Sequence, residues 1–596
     1  MPKIKKKDRT IFLLGKLYQV LNSKRKFEIK LIILTIVFNG LLEIFSIGSL
    51  VPLITLISSP TQAKNILIDY NLYGKLWLTS SNSTLIISLL FLGLIILSNL
   101  FKILSLRLIC KTTSKIAGDI SCMAYDYEIN RNYIDHLKIN SSSSISTMTV
   151  QLNAALSAFV AAFQLISSLA ISSCIIIYLL NLNFQISILL LLIISLLYFT
   201  IINKSKYNLT NNSKIFSNRT NDQIKIIQET FGNFKEIIFS GNENNYLKKY
   251  KNIDKALRKA QAQNQFIPVY PRYLIELILV MLIFLIILLF QKNLNSEFKQ
   301  IVPILGAFIF GCQRLLPTIQ LIYGSWTNIK AKQESIKRVV EYVKNIEFSK
   351  NNFPTKNLIK NKFNFRNLRL NNAYFNYEQN GVDTIKGIDL KIKKGERLGL
   401  IGKSGSGKTT LLEIISGLLI PSRGEISINN IPVKYNSPTL RAFRNIVSYS
   451  PQETYLSDST IAENIALGID KELINYERIN KAVEYAQLKE LINELPDGIN
   501  SSVGEKGANL SGGQKQRIGL ARTIYKGSDF IILDEFTSAL DEFTENEIIK
   551  IINNFPKHKT IVIVSHRKNV LKLCDKIINI KNGKIENIQK KDEVSN

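Results

Sequence analysis

The sequence predicts an α-helical membrane domain in the first half of the chain and a soluble α/β domain in the second half. Three observations support this fold class. Six apolar segments precede Trp326, polarity rises after that residue, and a glycine-rich loop later separates a strand-like run from a helix-like run. Hydrophobic residues make up 46% of the 596 residues but charged residues still make up 20%, which excludes a chain embedded entirely in a membrane.

The chain is strongly basic, with 76 Lys and Arg against 46 Asp and Glu and a net charge of +30. Nucleic-acid binding is one interpretation of this excess. The interpretation we favour is a membrane protein, because its cytoplasmic loops collect Lys and Arg. We therefore expect no nucleic-acid partner. The five cysteines are scattered without paired spacing, which predicts neither a disulfide framework nor a metal site.

Each apolar segment is long enough, or nearly so, to cross the hydrocarbon of a bilayer as a helix. The segments are residues 31–58, 84–106, 156–180, 186–202, 267–290 and 301–323. Basic runs before the first segment place the N-terminus in the cytoplasm. The connections 111–153 and 203–265 are long and rich in Lys and Arg, so we expect them on the same side. We expect no cleavable signal peptide.

The first outer connection carries large side chains at helical spacing, namely Ile66, Tyr70, Tyr73 and Trp77. This pattern predicts a short amphipathic helix on the outer membrane surface. A simple loop that covers the bundle fits the same residues. We place the membrane domain at residues 1–335, a Lys/Asn-rich linker at 336–362 and the soluble domain at 363–590.

A phosphate-binding loop opens the soluble domain. The pattern G-x-x-x-x-G-K-T runs from Gly402 to Thr409, between a buried strand and a helix. Its glycines let backbone N–H groups surround phosphate oxygens at a helix N-terminus. Lys408 is expected to reach the β- and γ-phosphates, and Thr409 to hold Mg²⁺. Alone, this motif indicates only a nucleotide-binding protein.

A second motif, "FIILDE", is a hydrophobic strand that ends in Asp534 and Glu535. Asp534 suits the coordination of Mg²⁺, and Glu535 suits a general base that polarises the attacking water. Between the two motifs stands "NLSGGQKQR", residues 509–517. This stretch resembles the signature sequence of ATP-binding cassette (ABC) transporters.

The resemblance extends to further motifs in the family's order. Tyr377 matches the aromatic residue that stacks on adenine, Gln452 the glutamine that senses the γ-phosphate, and His566 the switch histidine. It implies the cofactors ATP and Mg²⁺, with Glu535, His566 and Gln452 as catalytic residues and Thr409, Gln452 and Asp534 at the metal. The implied nucleotide-binding residues are Tyr377, Gly402, Lys403, Ser404, Gly405, Ser406, Gly407, Lys408, Thr409, Thr410, Gln452, Ser511, Gly512, Gly513, Gln514 and Asp541.

One departure from the family pattern is Phe536, where the family usually has a small residue. Because Asp534 and Glu535 keep their places, we expect activity to survive.

The fusion of six spans to one nucleotide domain, in that order, resembles ABC exporters. This implies a type IV exporter fold and a domain-swapped dimer in the inner membrane, with the N-terminus and the nucleotide domain cytoplasmic. The family places ATP between the P-loop of one domain and the signature of another, so a homodimer is expected and a heterodimer is the alternative. Short helices near 119–128 and 228–235 would transmit closure of the nucleotide domains. A soluble DNA-repair ATPase with a similar signature would lack the spans.

Three cations on three different apolar segments are expected to converge on the inner half of the membrane, namely Lys102, Arg272 and Arg314. Such charges normally face the bundle interior and mark a substrate pathway or an ion pair. The ion-pair alternative joins Arg272 to Glu276, one helical turn away, and Arg314 to Glu43.

The stretches "PRYLIE", "QRLLPTIQ" and "EIFSIGSLVPLITL" resemble the bacterial lipid-linked oligosaccharide flippase of N-glycosylation. That resemblance implies ATP-driven flipping of a pyrophosphate-linked lipid, with the three cations as substrate residues. The alternative is export of another amphipathic substrate, such as a drug, a peptide, a glycerolipid or lipid A.

Overall fold

The structure is a computed structural model that describes residues 10–48, 83–182, 184–290, 298–352, 363–378, 381–435 and 437–590. It divides into two compact units. The helical unit holds the described residues up to Asn130 and those from Ile139 to Asn352. The α/β unit holds Arg131–Lys138 and the described residues from Phe363 onward.

The helical unit is built from long helices joined by short ones. Its elements are α1 (Thr10–Val20), α2 (Ser23–Gly48), α3 (Ser83–Ile129), α5 (Ser141–Ser146), a π-helix (Thr147–Gln151), α6 (Leu152–Leu182), α7 (Phe184–Gly232), α8 (Phe234–Ser240), α9 (Glu243–Phe266), α10 (Tyr270–Phe290), α11 (Phe298–Ala331) and α12 (Gln333–Asn352). In the described part of the chain, four helical stretches are long and apolar enough to cross a membrane by length and composition. The predicted segments 267–290 and 301–323 also lie largely in helices, α10 and α11.

The helices extend well beyond the predicted apolar segments. The second segment continues into α3, which has 47 residues, and the fourth into α7, which has 49. Neither helix contains a proline, and Gly118 lies inside α3 without ending it, so each helix continues into the polar connection. The predicted surface helix at Ile66–Trp77 lies outside the described residues.

The predicted coupling helices are shifted along the chain. Residues 119–128 lie inside α3, and the short helix of that connection is α4 (Tyr133–Leu137). In the other connection α7 ends at Gly232 and α8 overlaps the predicted 228–235 only at its start. The first placement was wrong because residues 119–128 continue the regular helix α3.

Residues 336–352, predicted as the start of the linker, form most of α12. Ile336, Val339, Val340 and Val343 are buried in a core cluster of the helical unit. Their i, i+3, i+4, i+7 spacing gives the helix one apolar face, which explains why this polar-looking stretch packs rather than links.

The α/β unit contains two sheets around a P-loop helix. Strands β1 (Asn367–Phe375), β2 (Ile385–Lys393), β4 (Arg423–Ile428) and β5 (Ile431–Pro432) form an antiparallel sheet in the order β2-β1-β4-β5. Strands β3 (Arg397–Ile401), β6 (Val447–Ser450), β7 (Phe530–Asp534), β8 (Thr560–Val564), β9 (Lys576–Lys581) and β10 (Lys584–Lys590) form the second sheet, in the order β10-β9-β3-β8-β7-β6.

The strands β9, β3, β8, β7 and β6 are parallel, and β10 adds an antiparallel edge. Continuous apolar runs such as Phe530–Asp534 and Thr560–Val564 are fully buried, as expected for strands covered by helices on both faces. The helices of the unit are α4, α13 (Lys408–Ile415), α14 (Pro438–Ile446), α15 (Ile461–Ile465), α16 (Tyr476–Tyr485), α17 (Lys489–Glu494), α18 (Gly512–Lys526), α19 (Glu542–Asn553) and α20 (Lys568–Leu571). Parallel strands end at one edge of the sheet, where functional loops gather.

Candidate functional site

The glycine-rich loop joins β3 to α13 and requires the absence of side chains at two points. Gly402 has φ +150°, and a Cβ there would lie 2.3 Å from the carbonyl oxygen of Ile580. Gly407 has φ +103° and caps the N-terminus of α13. The backbone therefore curls tightly ahead of a helix N-terminus, which is the arrangement that binds phosphate.

The polar groups of this loop suit an anionic ligand. Lys408 folds back so that its Nζ donates to the carbonyl oxygens of Gly402 and Lys403, the latter at 3.1 Å. The Ser406 hydroxyl oxygen is buried and has no hydrogen-bond partner among the described residues. A cation, an orphaned hydroxyl and an open helix N-terminus fit the triphosphate of ATP. Lys403, Ser404, Gly405 and Thr409 are exposed on the same loop and first turn.

Tyr377 lies beside this loop, as the sequence predicts. Its hydroxyl is 3.0 Å from the Thr410 hydroxyl and donates to Glu413 Oε2 at 3.3 Å. The ring packs edge-on against Phe375, with ring centroids 5.1 Å apart, and about a third of the residue is exposed. An exposed aromatic ring next to a phosphate-binding loop is well placed to stack on a nucleotide base.

The three predicted catalytic residues come together at the carboxyl end of β7. Gln452 Nε2 donates to Glu535 Oε2 at 2.7 Å, and His566 Nε2 lies 3.7 Å from Glu535 Oε1. Glu535 has φ +45°, in the left-handed region that non-glycine residues seldom adopt, and its amide donates to Val564 O on β8. This backbone turns the carboxylate out of the strand toward both partners.

Asp534, the last residue of β7, is almost fully buried. Burial raises the pKa of its carboxyl group, and the Tyr449 hydroxyl, which donates to Oδ2 at 3.1 Å, opposes that shift. Asp534, Gln452 and Thr409 offer the oxygen ligands that Mg²⁺ prefers. The neighbouring Phe536 is buried in the core of the unit, so the bulky substitution fills apolar space and leaves the acidic pair in place.

The signature serine begins α18 as its N-cap. The Ser511 hydroxyl accepts from the Gln514 amide, and Gln514 Oε1 accepts from the Ser511 amide at 2.8 Å. This capping box fixes Gly512 and Gly513 in the first helical turn, with their amides at the positive end of the helix dipole. Asp541, predicted to bind nucleotide, is the N-cap of α19. Its carboxylate accepts from the Thr544 amide and hydroxyl, which lower the pKa of that carboxyl group.

In the helical unit, Lys102 and Arg314 meet at one carboxylate. Glu43 Oε2 lies 2.7 Å from Lys102 Nζ, and Glu43 Oε1 accepts from Arg314 Nη1. The Ser98 hydroxyl also donates to Glu43 at 2.8 Å. Only 1% of the Glu43 side chain is exposed, so the two cations neutralise a buried charge from two other helices. The predicted Arg314–Glu43 pair is present.

This carboxylate borders a cavity of about 680 Å³ between α2, α3, α6 and α11, whose lining surface is mostly apolar. Its lining includes an amide and hydroxyl set, namely Asn39, Asn99, Ser105, Gln164, Ser167, Ser168, Gln313 and Thr318. Among the described residues, Asn39 Oδ1 and Ser105 Oγ are buried without a hydrogen-bond partner. The cavity therefore presents cations and neutral polar groups together.

Arg272 does not join this cluster. It donates to Glu276 at 2.7 Å and to Gln320 at 3.2 Å. The Arg272–Glu276 ion pair that the sequence offers as an alternative to substrate binding is therefore present. The expectation that three cations converge holds for Lys102 and Arg314 only. Among the described residues, the cavity lining includes both of those residues but not Arg272.

The comparisons with known proteins agree with this geometry. Residues 385–538 match the family model described as ABC transporter. The α/β unit is an ABC-transporter ATP-binding domain. The solved structure of a bacterial Atm1-family ABC exporter with ATP bound covers 96% of each chain, with a TM-score of 0.74 and 18% identity. The chain has the type IV ABC exporter fold.

Two curated relatives are similar to part of this chain. An ATP-dependent lipid A-core flippase of Ralstonia nicotianae is 35% identical over 219 residues, which is 37% of each chain. A putative multidrug export ATP-binding/permease protein of Bacillus subtilis is 33% identical over 291 residues, which is 48% of each chain. The matched region spans less than half the length of these relatives.

Sequence reasoning missed a buried glutamine in the ABC domain. Gln516, on the first turns of α18, donates to Gln452 O at 3.1 Å and to Ser538 Oγ at 2.7 Å, and accepts from the Ala539 amide at 3.0 Å. It therefore ties together the loop of Gln452 and the loop that follows Glu535. Its position inside the quoted "NLSGGQKQR" stretch was the available signal.

Proposed function

We propose that this chain is one half of a dimeric ATP-driven exporter that moves an anionic amphipathic lipid across the inner membrane. The observation that carries the proposal is the convergence of Gln452, Glu535 and His566 beside a P-loop, in a chain that also carries apolar helices of membrane length. A binding module would not need a carboxylate aimed out of a strand end toward an amide and an imidazole.

Each residue of the ABC domain has a proposed role in hydrolysis. The P-loop residues and Lys408 bind the phosphates, and Tyr377 stacks on the adenine. Glu535 accepts a proton from the attacking water, whose orientation Gln452 controls, and His566 contacts the γ-phosphate. Thr409, Gln452 and Asp534 would hold Mg²⁺, which neutralises charge that develops on the phosphate oxygens.

We infer a homodimer, with a heterodimer as the alternative. Each chain supplies one P-loop and one signature, and the exporter arrangement uses the P-loop of one chain with Ser511, Gly512 and Gly513 of the other. The exposed apolar surface around α8 supports contact with a second chain. Phe231 and Phe239 are 73% and 81% exposed there, and Phe234 and Ile238 accompany them. The proposed orientation places the N-terminus and the ABC domain in the cytoplasm.

For the substrate we propose a lipid-linked oligosaccharide with a pyrophosphate group. Among the described side chains that line the cavity, the two cations Lys102 and Arg314 face the single carboxylate of Glu43, and guanidinium and ammonium groups are the usual partners of phosphate oxygens. The surrounding amides and hydroxyls suit a sugar headgroup, since they can exchange hydrogen bonds with its hydroxyl groups. Arg272, at the start of α10, is the third proposed contact of the substrate. It pairs with Glu276 rather than with Glu43.

The similarity to a lipid A-core flippase favours a second candidate, a phosphorylated lipid A-type substrate. The relative named as a multidrug exporter favours a drug as the third candidate.

The test uses the purified full chain in lipid nanodiscs. ATP hydrolysis is measured with a polyprenyl-pyrophosphate-linked oligosaccharide, with lipid A, with a cationic dye and with a neutral phospholipid as control. Stimulation by the pyrophosphate lipid at the lowest concentration supports the proposal. Stimulation by lipid A alone supports the second candidate, and stimulation by the dye alone contradicts an anionic substrate. Absence of ATP hydrolysis under all conditions overturns the proposed exporter function itself.

A further inference from the structure

The segment Arg131–Lys138 packs with the α/β unit, although the chain on either side of it belongs to the helical unit. Tyr133 and Ile134 contact the hydrophobic core cluster of the ABC domain that includes Leu411, Leu412 and Phe443. The segment is thus the covalent bridge from α3 and α5 onto the ABC domain.

A single carboxylate, Glu413, joins this bridge to the nucleotide site. The Tyr133 hydroxyl donates to Glu413 Oε1 at 3.0 Å, and the Tyr377 hydroxyl donates to Glu413 Oε2 at 3.3 Å. Each tyrosine thus uses its own carboxylate oxygen. The Tyr377 hydroxyl also lies 3.0 Å from Thr410 Oγ1, the residue that directly follows the P-loop.

The charges of this group keep the arrangement fixed at neutral pH. Burial, followed by the negative charge of Glu413, raises the pKa of Tyr133 to about 12, so its hydroxyl stays protonated and donates. Burial likewise raises the pKa of Tyr377. Burial raises the pKa of the Glu413 carboxyl group, and the two tyrosine hydrogen bonds oppose that shift. Glu413 has no salt bridge among the described residues, so tyrosine hydroxyls supply its charge-assisted hydrogen bonds.

We propose that Glu413 is a positioning residue that links occupancy of the nucleotide base seat at Tyr377 to the bridge segment at Tyr133. A base stacked on Tyr377 restrains that ring, and the restraint passes through the shared carboxylate to Tyr133. The link rests on the proposed role of Tyr377 in nucleotide binding. This link differs from coupling through the γ-phosphate because it depends on the base. A triphosphate without a base would therefore cause no response in the bridge segment.

The test compares two ligands in the full chain with Glu535→Gln as background, so that nothing is hydrolysed during the measurement. Hydrogen–deuterium exchange of the peptide covering residues 131–138 is recorded with Mg-ATP and with Mg-tripolyphosphate, each at saturation of the P-loop. The expected result is slowed exchange with ATP and no change with tripolyphosphate. Equal slowing with both ligands overturns the proposal, because the signal would then come from the phosphates.

Variants of Tyr133 and Glu413 test whether the link between Tyr377 and the bridge segment runs through these two residues. Tyr133→Phe removes one hydroxyl outside the nucleotide site, so it should abolish the exchange response to ATP. In the chain with Glu535 intact, it should leave kcat and KM for ATP within about twofold, since the Tyr133 hydroxyl bonds Glu413 rather than a residue proposed to bind the nucleotide. Glu413→Ala should abolish the response and weaken ATP binding about fivefold, the value of roughly one net hydrogen bond. Glu413→Gln keeps one acceptor oxygen and should retain part of the response.

His136→Ala is the matched control, because His136 is exposed on the same short helix. It should leave the response intact. A full response in Tyr133→Phe, with the fold confirmed by an unchanged melting temperature, overturns the proposal while leaving ATP hydrolysis and the exporter function standing. Loss of hydrolysis in the unmodified chain would instead count against the proposed function.

Discussion

Two glutamates, Glu535 in the ABC domain and Glu43 in the helical unit, show that the same side chain has different chemical roles in different surroundings. About a quarter of the Glu535 side chain is exposed, and its described neighbours are an amide and an imidazole. Glu43 is 1% exposed and is saturated by a lysine, an arginine and a serine hydroxyl. The first carboxylate can accept a proton from water, whereas the second is held in ion pairs that a ligand must compete with.

The largest expected effect concerns Glu535. Glu535→Gln should bind Mg-ATP but hydrolyse it at least ~100-fold more slowly, because the amide cannot accept the proton of the attacking water. Turnover is measured on purified protein, and binding with a fluorescent ATP analogue. Glu542→Gln, an exposed carboxylate at the start of α19, is the control. Near-normal turnover in Glu535→Gln would remove this residue from the role of base.

The next effect concerns the support of that carboxylate. Gln516→Leu should lower kcat about tenfold with little change in KM, because the loops of Gln452 and Ser538 lose their shared anchor and Glu535 is oriented less well. The exposed Gln589→Leu on β10 controls for a general effect of the substitution. An equal rise in KM with unchanged kcat would show that Gln516 serves nucleotide binding rather than orientation.

A smaller change tests whether the site is shared between chains. Lys408→Ala and Ser511→Arg are each expected to be inactive alone. Random mixing should restore about one quarter of the parent rate, since half of the dimers are mixed and each has one working site. Mixed dimers are confirmed by differently tagged chains. No recovery in such dimers would contradict a site built from both subunits.

Much of the fold and of the nucleotide site could be predicted from the sequence, because the motifs that mark them are short, local stretches. The P-loop and the strand that ends in Asp534 and Glu535 follow from local motif spacing, and the roles expected of Gln452 and His566 follow from the resemblance to ABC transporters. The contacts of Gln516, the contacts of Glu413 and the meeting of Lys102 with Glu43 could not be predicted, because no local pattern marks which residues these side chains contact. Asp541 lies where predicted, but its carboxylate satisfies a helix terminus, a use that a motif match does not reveal.

The smallest expected effect on ATP hydrolysis, within about twofold for a residue that belongs to the helical unit, comes from Arg314. If Arg314 binds the pyrophosphate, Arg314→Ala should lose flipping and substrate stimulation while the chain still folds. Arg314→Lys should recover only part, because the guanidinium fork is lost. If Arg314 only neutralises Glu43, Arg314→Ala leaves a buried carboxylate with one cation fewer and lowers the melting temperature. Glu43→Gln would then restore both stability and transport to the Arg314→Ala chain.

The double variant therefore decides between the two uses of the buried charge. Stability is measured by thermal unfolding in nanodiscs, and transport by the movement of labelled pyrophosphate lipid between leaflets. Arg272→Ala is the comparison for stability, because the Arg272 and Glu276 side chains are 42% and 39% exposed whereas Glu43 is buried, so the loss of this pair should cost less. Rescue of stability without rescue of transport would show that Arg314 does more than balance Glu43. Rescue of both would contradict the pyrophosphate proposal for Arg314, and the cavity would then depend on its amides, hydroxyls and Lys102.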